Sequence, residues 1–418
     1  MDEVFHIPQA QKYCNGSLQE WDPKITTLPG LYLFSIGLFK PLSQIFSDAT
    51  LDWCTTLNLR AVNILFAAGN FYLFYMITHS LNRSKEEGEN YALLKAVALS
   101  LMPLLFFFNF LYYTDPGSLL FVLYSYYFHL RGSNTMSAIL GIVSLIFRQT
   151  NIVWIFFMAL SDICKNLHKQ HRMQRDPLTV WSFLTFALPV FVINAIITCW
   201  AYAIVGLTAI AFVLWNGSIV VGDKSAHEAC FNPTQLVYFA CFSLGLSAPH
   251  LARLETLSRF LKAVWSHWMI CMVALLCSVA LVYNFTQVHE YLLADNRHYT
   301  FYVWSKVLGK YEMVRYLLIP LSMYLYWAIH DSLSHIHWMI RCCLWGCVAI
   351  ALIPQKLMEF RYFVVPYTII RLHMNNESMR GLLFEILLYF CVNIFTLYIF
   401  LYKPIFWPQI HEPQRIMW

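Results

Sequence analysis

Residues 135–163 read TMSAILGIVSLIFRQTNIVWIFFMALSDI. The run is apolar except at Arg148-Gln149-Thr150-Asn151, and its reading decides how the chain is threaded. As one helix it exceeds the ~20 apolar residues that cross a bilayer; as two, 135–147 and 151–163, it goes across and returns. The next stretch, Lys165 to Arg175, carries Lys165, Lys169, Arg172, Arg175 and two histidines. Short basic loops of this kind stay on the cytosolic side. Two helices put this loop on the same side as Arg83, Lys85, Arg131, Arg253, Arg259 and Lys262, whereas one helix puts it opposite them. The expectation is therefore two.

The rest of the chain agrees that the solvent is lipid. It is 59% apolar, 17% aromatic and only 12% charged over 418 residues, with mean hydropathy +0.54. Soluble domains carry roughly 25% charge. The expected class is an all-α polytopic membrane protein. Candidate spans are 61–80, 91–111, 116–130, 135–147, 151–163, 197–215, 235–251, 264–283, 315–329, 336–353 and 382–402. Three further apolar runs carry prolines. Segments 29–47 and 363–371 are expected to be interfacial or re-entrant, and 178–196 to lie along the membrane surface. The net charge of +5 sits in clusters at segment ends, which points to topology rather than to nucleic acid. Nucleotide and hydrolase signatures (GxGxxG, P-loop, HExxH, GxSxG) are missing from the sequence. Most cysteines lie in apolar runs without CxxC spacing; Cys14, Cys54 and Cys230 lie in polar stretches, where a pairing is not deducible.

With that threading, several polar stretches fall on one face: Asp2-Glu3, Tyr112 to Asp115, Arg148 to Asn151, Asn216 to His227, Leu292 to Trp304 and Lys356 to Tyr362. The expected layout is a 1–59 loop with its interfacial segment, a first helix group at 60–215, a loop at 216–234, and a second group at 235–418. The second group carries loops at 284–313 and 354–362. Asp2-Glu3, followed by His6, Gln9 and Gln11, suits a group that takes a proton from a polar substrate; a solvated loop end is the plainer reading. Asn296-Arg297-His298-Tyr299 sets an arginine fork beside an imidazole, a good match for phosphate oxygens, though arginine and tyrosine also anchor membrane edges. Glu359 and Arg361 are either ligand contacts or an ion pair, with Arg148 as an alternative partner. Asp115, next to Pro116, reads as a helix cap. Gly222-Asp223-Lys224 with His227 reads as an ordinary loop.

Taken in order, MDEVFHIPQAQKYC, WDPKITTLPGLY, FNFLYYTD, FRQTNIVW, NGSIVVGDKSAHEAC, LLADNRHYTFYVW, KLMEFRYFVVPY and QRIMW resemble one family over nearly the whole chain. It is the dolichyl-phosphate-glucose-dependent α-1,2-glucosyltransferases of N-glycan assembly in the endoplasmic reticulum, in the GT-C superfamily. The resemblance implies a GT-C-like multi-span helical bundle whose luminal loops form the active site. It implies an inverting transfer of glucose from dolichyl-phosphate-glucose to the terminal glucose of the dolichyl-pyrophosphate-linked oligosaccharide. The implied localisation is the endoplasmic reticulum membrane, with membrane lipid but no nucleic acid as partner. Asp2 is then the implied base, with Glu3 as its orienter or understudy. Arg297, His298 and Arg361 are the implied phosphate ligands. His6, Arg148, Asn296, Tyr299 and Glu359 complete the substrate-binding set. No cofactor is required, although Asp2 and Glu3 could hold a divalent ion. The chain departs from the pattern in starting at the Asp-Glu motif, where family members carry a further helix. A form without that helix is expected to insert and transfer poorly. A transporter and a non-catalytic membrane partner are the rival readings.

Overall fold

The computed structural model describes residues 3–45, 53–81, 88–173, 188–224, 229–374, 377–408 and 410–418, with backbone alone at 168–173, 188–191, 194 and 410–412. It is an all-α, multi-pass membrane protein. The helices are α1 (Glu3–Cys14), α2 (Gly30–Ile45), α3 (Thr56–Leu81), α4 (Gly88–Ser100), α5 (Pro103–Phe108), α6 (Thr114–Leu130), α7 (Asn134–Phe147), α8 (Ile152–Met173) and α9 (Leu188–Asn216). They continue with α10 (Thr234–Leu251), α11 (Leu254–Ser266), α12 (Trp268–Phe285), α13 (Glu290–Ala294), α14 (Tyr299–Val303) and α15 (Glu312–Ser332). Last come α16 (Trp338–Leu352), α17 (Val364–His373) and α18 (Met379–Tyr402), followed by a small antiparallel hairpin, β1 (Ile405–Trp407) with β2 (Ile410–Gln414).

Among the described residues, Thr56–Leu81, Ala195–Asn216, Trp268–Phe285 and Met379–Tyr402 are long and apolar enough to cross a membrane. Their apolar side chains are not all inside. On α12, Ile270 is 69% and Leu276 62% exposed, which suits a face turned to hydrocarbon.

The decisive stretch does form two helices. α7 ends at Phe147, Gln149–Asn151 makes a single 3₁₀ turn, and α8 starts at Ile152. The buried Asn151 amide fills this break, donating to the Ser144 carbonyl (2.9 Å) and to Ser118 Oγ (2.8 Å). Gly141 lets the pair close up, since a Cβ there would lie 2.8 Å from Ile155 Cδ1.

Several expectations need correcting. Segment 91–111 is not one span: it breaks between α4 and α5, where Pro103 starts a new helix, a position proline tolerates because its missing N–H is not needed. Segment 178–196 does not end in a surface helix, because from Leu188 onward it continues as α9; residues 178–187 lie outside the described residues. Most of segment 363–371 forms α17, which is buried in the protein along nearly its whole length. Within segment 29–47, the 16 residues of α2 span ~24 Å, short of the ~30 Å hydrocarbon layer, in line with the expectation that it does not cross.

α2 meets α7 at Gly30, where a Cβ would lie 2.7 Å from the Ile146 carbonyl oxygen. Gly37, two turns on, has nothing within 4 Å of such a Cβ. Gly37→Ala should therefore be neutral or stabilising in detergent melts, by up to ~1 kcal/mol of helix propensity. Gly30→Ala should instead lower the melting temperature, with ~1–3 kcal/mol lost to overpacking. Equal behaviour of the two variants would contradict this packing.

At the end of the bundle away from the loops discussed below, α4, α10, α17 and α18 share a buried ion network. Arg371 donates to Glu385 through Nε (3.0 Å) and Nη2 (2.6 Å) and also pairs with Glu377. Lys95 pairs with Glu377 at 3.3 Å, and His250 Nε2 lies 3.1 Å from Glu385. Positive and negative members balance, which is the condition for burying charge at all.

Candidate active site

α1 is short, and mostly polar contacts hold it along its length. At its first residue, Arg60 of α3 donates Nε and Nη2 to the two Glu3 carboxylate oxygens at 2.8 and 2.7 Å. The backbone N–H of Tyr112 adds a third bond to Glu3 at 2.8 Å. One turn on, His6 Nδ1 hydrogen-bonds the Tyr32 hydroxyl, and its ring meets Tyr113 edge-on at 5.7 Å. Gln11 donates to the Cys54 carbonyl at 3.2 Å, and Cys14, the last residue, is disulfide-bonded to Cys54. Asp2 lies outside the described residues.

Tyr113 leads from α1 to the arginines. The Arg361 guanidinium sits 5.4 Å from the Tyr113 ring and 5.7 Å from Phe108. Its Nε donates to Glu359 at 2.5 Å, and its Nη1 lies 3.9 Å from Asp115 Oδ2. Arg148 Nη2 donates to the same Asp115 oxygen at 3.1 Å. Residues 115, 148 and 361, far apart in sequence, thus form one arginine–carboxylate–arginine cluster, and all three side chains are at most 15% exposed. The expectation that Asp115 caps its helix needs correction. Tyr113 occupies the cap position of α6 without a side-chain bond, and the Asp115 carboxylate is used by the arginines instead. Its charge still suits the first turn of a helix.

The 295–299 motif is built differently. Arg297 donates Nε (2.9 Å) and Nη2 (2.6 Å) to Asp295 and Nη1 to Gln414 Oε1 (3.0 Å), with its guanidinium 4.8 Å from the Trp407 ring. Asn296 accepts from Trp407 Nε1 at 2.9 Å. His298 Nδ1 lies 3.2 Å from the Trp418 carbonyl oxygen, and the Tyr299 ring packs tilted against Trp418 at 4.9 Å. Backbone bonds Met417 N–H to Arg297 O (2.7 Å) and Tyr299 N–H to Met417 O (3.1 Å) fasten the chain's last residues to the turn. Burial pushes the Asp295 carboxyl up, but the bonds from Arg297 outweigh it, and the group ends below the usual carboxylate value. Trp418 also packs on Phe360 at 6.1 Å, which brings this cluster next to the residue preceding Arg361.

Other loops close the same end. The Gln149 amide and the Val221 N–H both donate to the Thr26 carbonyl (3.1 and 3.2 Å), and the Asp223 N–H donates to the Pro23 carbonyl at 2.7 Å. Cys230 N–H reaches Pro354 O at 3.1 Å. His227 lies outside the described residues. Sequence reading missed Arg60 and Asn63. Both lie in an apolar run, and an arginine near the start of such a run was the available signal.

A model of the DIE2/ALG10 family matches residues 1–372. The human protein "Dol-P-Glc:Glc(2)Man(9)GlcNAc(2)-PP-Dol alpha-1,2-glucosyltransferase" is 43% identical over the whole chain and 93% of its own length. Proteins of the same name from Drosophila melanogaster and Arabidopsis thaliana are 34% and 32% identical over the whole chain, covering 93% and 94% of their own lengths. No solved structure matches.

Proposed function

The chain belongs to the DIE2/ALG10 family, and from that premise we propose that it transfers glucose from dolichyl-phosphate-glucose to the dolichyl-pyrophosphate-linked oligosaccharide, forming an α-1,2 bond with inversion. The observation that carries the assignment to this site is the Arg148–Asp115–Arg361 cluster beside the amino end of α1. A glucosyl phosphate departs as an anion, so the site needs cations at the leaving group rather than a general acid. Arg361 and Arg148 supply them once phosphate oxygens replace part of their carboxylate bonding. The acceptor is an alcohol and needs one carboxylate base. In-line attack by it inverts the anomeric carbon without a second, nucleophilic carboxylate. We assign the base to Asp2, with Glu3 as its neighbour's anchor. His6 and Tyr299 line the approach. Arg297, Asn296 and His298 hold the wall beside Arg361.

A divalent ion shared by Asp2 and Glu3 fits poorly, since Arg60 and the Tyr112 N–H already take both Glu3 oxygens. We propose that the site faces the lumen of the endoplasmic reticulum. The Cys14–Cys54 bridge supports this, because disulfides persist in oxidising compartments. Lys165, Lys169 and Arg172 near the far end of α8 support it too.

The test is transfer in sealed microsomes that carry this chain as their only such enzyme, supplied with radiolabelled dolichyl-phosphate-glucose. Label should enter the lipid-linked glycan as an α-1,2-linked terminal glucose. Donor consumption without labelled glycan, or uptake of a free solute instead, would sink the proposal.

A further inference from the structure

One face of α3 measures out two parts of the site. Asn63, one turn after Arg60, donates its amide to the carbonyls of Leu111 (2.5 Å) and Tyr113 (2.9 Å), fixing the corner that carries the Tyr113 ring. Residues three apart lie side by side on a helix. Arg60 projects from that same face and grips Glu3 with both arms of its fork, a geometry a lysine cannot copy. Glu3 closes the triangle by accepting the Tyr112 N–H. His6, one turn after Glu3, is thereby set at a fixed separation from Tyr113, over which Arg361 lies. The Arg60 side chain is 40% exposed and that of Glu3 only 6%, so the pair lies at the rim of the core, and removing Arg60 leaves a buried carboxylate short of its main partner.

We propose that Arg60 is a positioning residue for glucose transfer: through Glu3 it holds the amino end of α1 in register with the arginine cluster. This rests on reading that end of α1 as part of the transfer site. The groups it aligns serve the acceptor's attack, so its loss acts on the chemical step more than on donor capture. A displacement near 1 Å is enough to cost ~10²-fold in rate.

The experiment is steady-state transfer by the full chain in microsomes, with kcat and donor KM separated, alongside melting of the detergent-extracted protein. Arg60→Ala should lower kcat about 10- to 100-fold, with donor KM within about threefold; melting falls as the buried Glu3 loses its partner, and adding Glu3→Gln restores melting without restoring kcat. Arg60→Lys should recover part of the loss. Glu3→Gln combined with Arg60→Ala should be no slower than Arg60→Ala alone, because the two act as one device. A normal kcat for Arg60→Ala, a kcat that recovers along with melting in the double variant, or additive losses there would each overturn the proposal. His6→Ala is measured in parallel. If it slows transfer while Arg60→Ala does not, only the positioning role fails. If neither slows transfer, the amino end of α1 is not part of the site, and the broader reading fails with it.

Discussion

Asp2→Asn is expected to lower glucose transfer by ~10²–10⁴-fold, the usual cost of losing a general base, with donor affinity kept. The amide keeps the shape and hydrogen-bonding reach of the carboxylate and loses only its basicity. Glu3→Gln gives the informative contrast. The structure ties Glu3 by three bonds to Arg60 and Tyr112, so its carboxylate is engaged and cannot readily take a proton from an alcohol. Its loss should cost less than that of Asp2 and should act by loosening α1. Measured side by side in microsomes, a near-normal Asp2→Asn with an inactive Glu3→Gln would move the base to Glu3. Two near-normal rates would remove the pair from the chemistry.

The second large effect is at Arg361. Arg361→Ala should reduce kcat/KM for the donor by roughly 10- to 100-fold, from the ~1.5–3 kcal/mol carried by a charged hydrogen bond. Lysine should restore only part, lacking the planar fork. Arg297→Ala is expected to behave differently. Arg297 holds Asp295 and Gln414 and lies against Trp407, so its removal should lower the melting temperature along with activity. Donor kinetics and melting curves for both variants separate the two roles. A normal donor kcat/KM for Arg361→Ala together with a large loss of melting temperature would mark Arg361 as structural instead.

Hydropathy made most of the bundle readable, because a lipid solvent demands long apolar runs and basic ends. The turn at 148–151 was readable for the same reason: charge and amides do not sit idle in mid-membrane. What escaped was set by contacts between distant residues. Pro103 was visible, yet the apolar residues around it hid the break between α4 and α5. Asp115 looked like a cap because Pro116 follows it, but Arg148 and Arg361 arrive from 33 and 246 residues away and outcompete that role. Arg60 went unread, since its partner lies 57 positions earlier. The buried network of Lys95, His250, Arg371, Glu377 and Glu385 was invisible for the same reason: each member alone reads as a polar residue near a segment end.

The fastening of residues 414–418 onto the 295–299 turn has a consequence for how the protein is made. Arg297 meets Gln414, 117 positions later in the chain. A ribosome feeding this polypeptide into the membrane releases the turn long before it releases its clasp. Through that interval Arg297 lacks Gln414, and His298 and Tyr299 lack Trp418 and Met417. On the site proposed above, the wall beside Arg361 is finished only after translation has passed Gln414, so its assembly is a late step of biogenesis and chains cut before Gln414 should transfer little glucose.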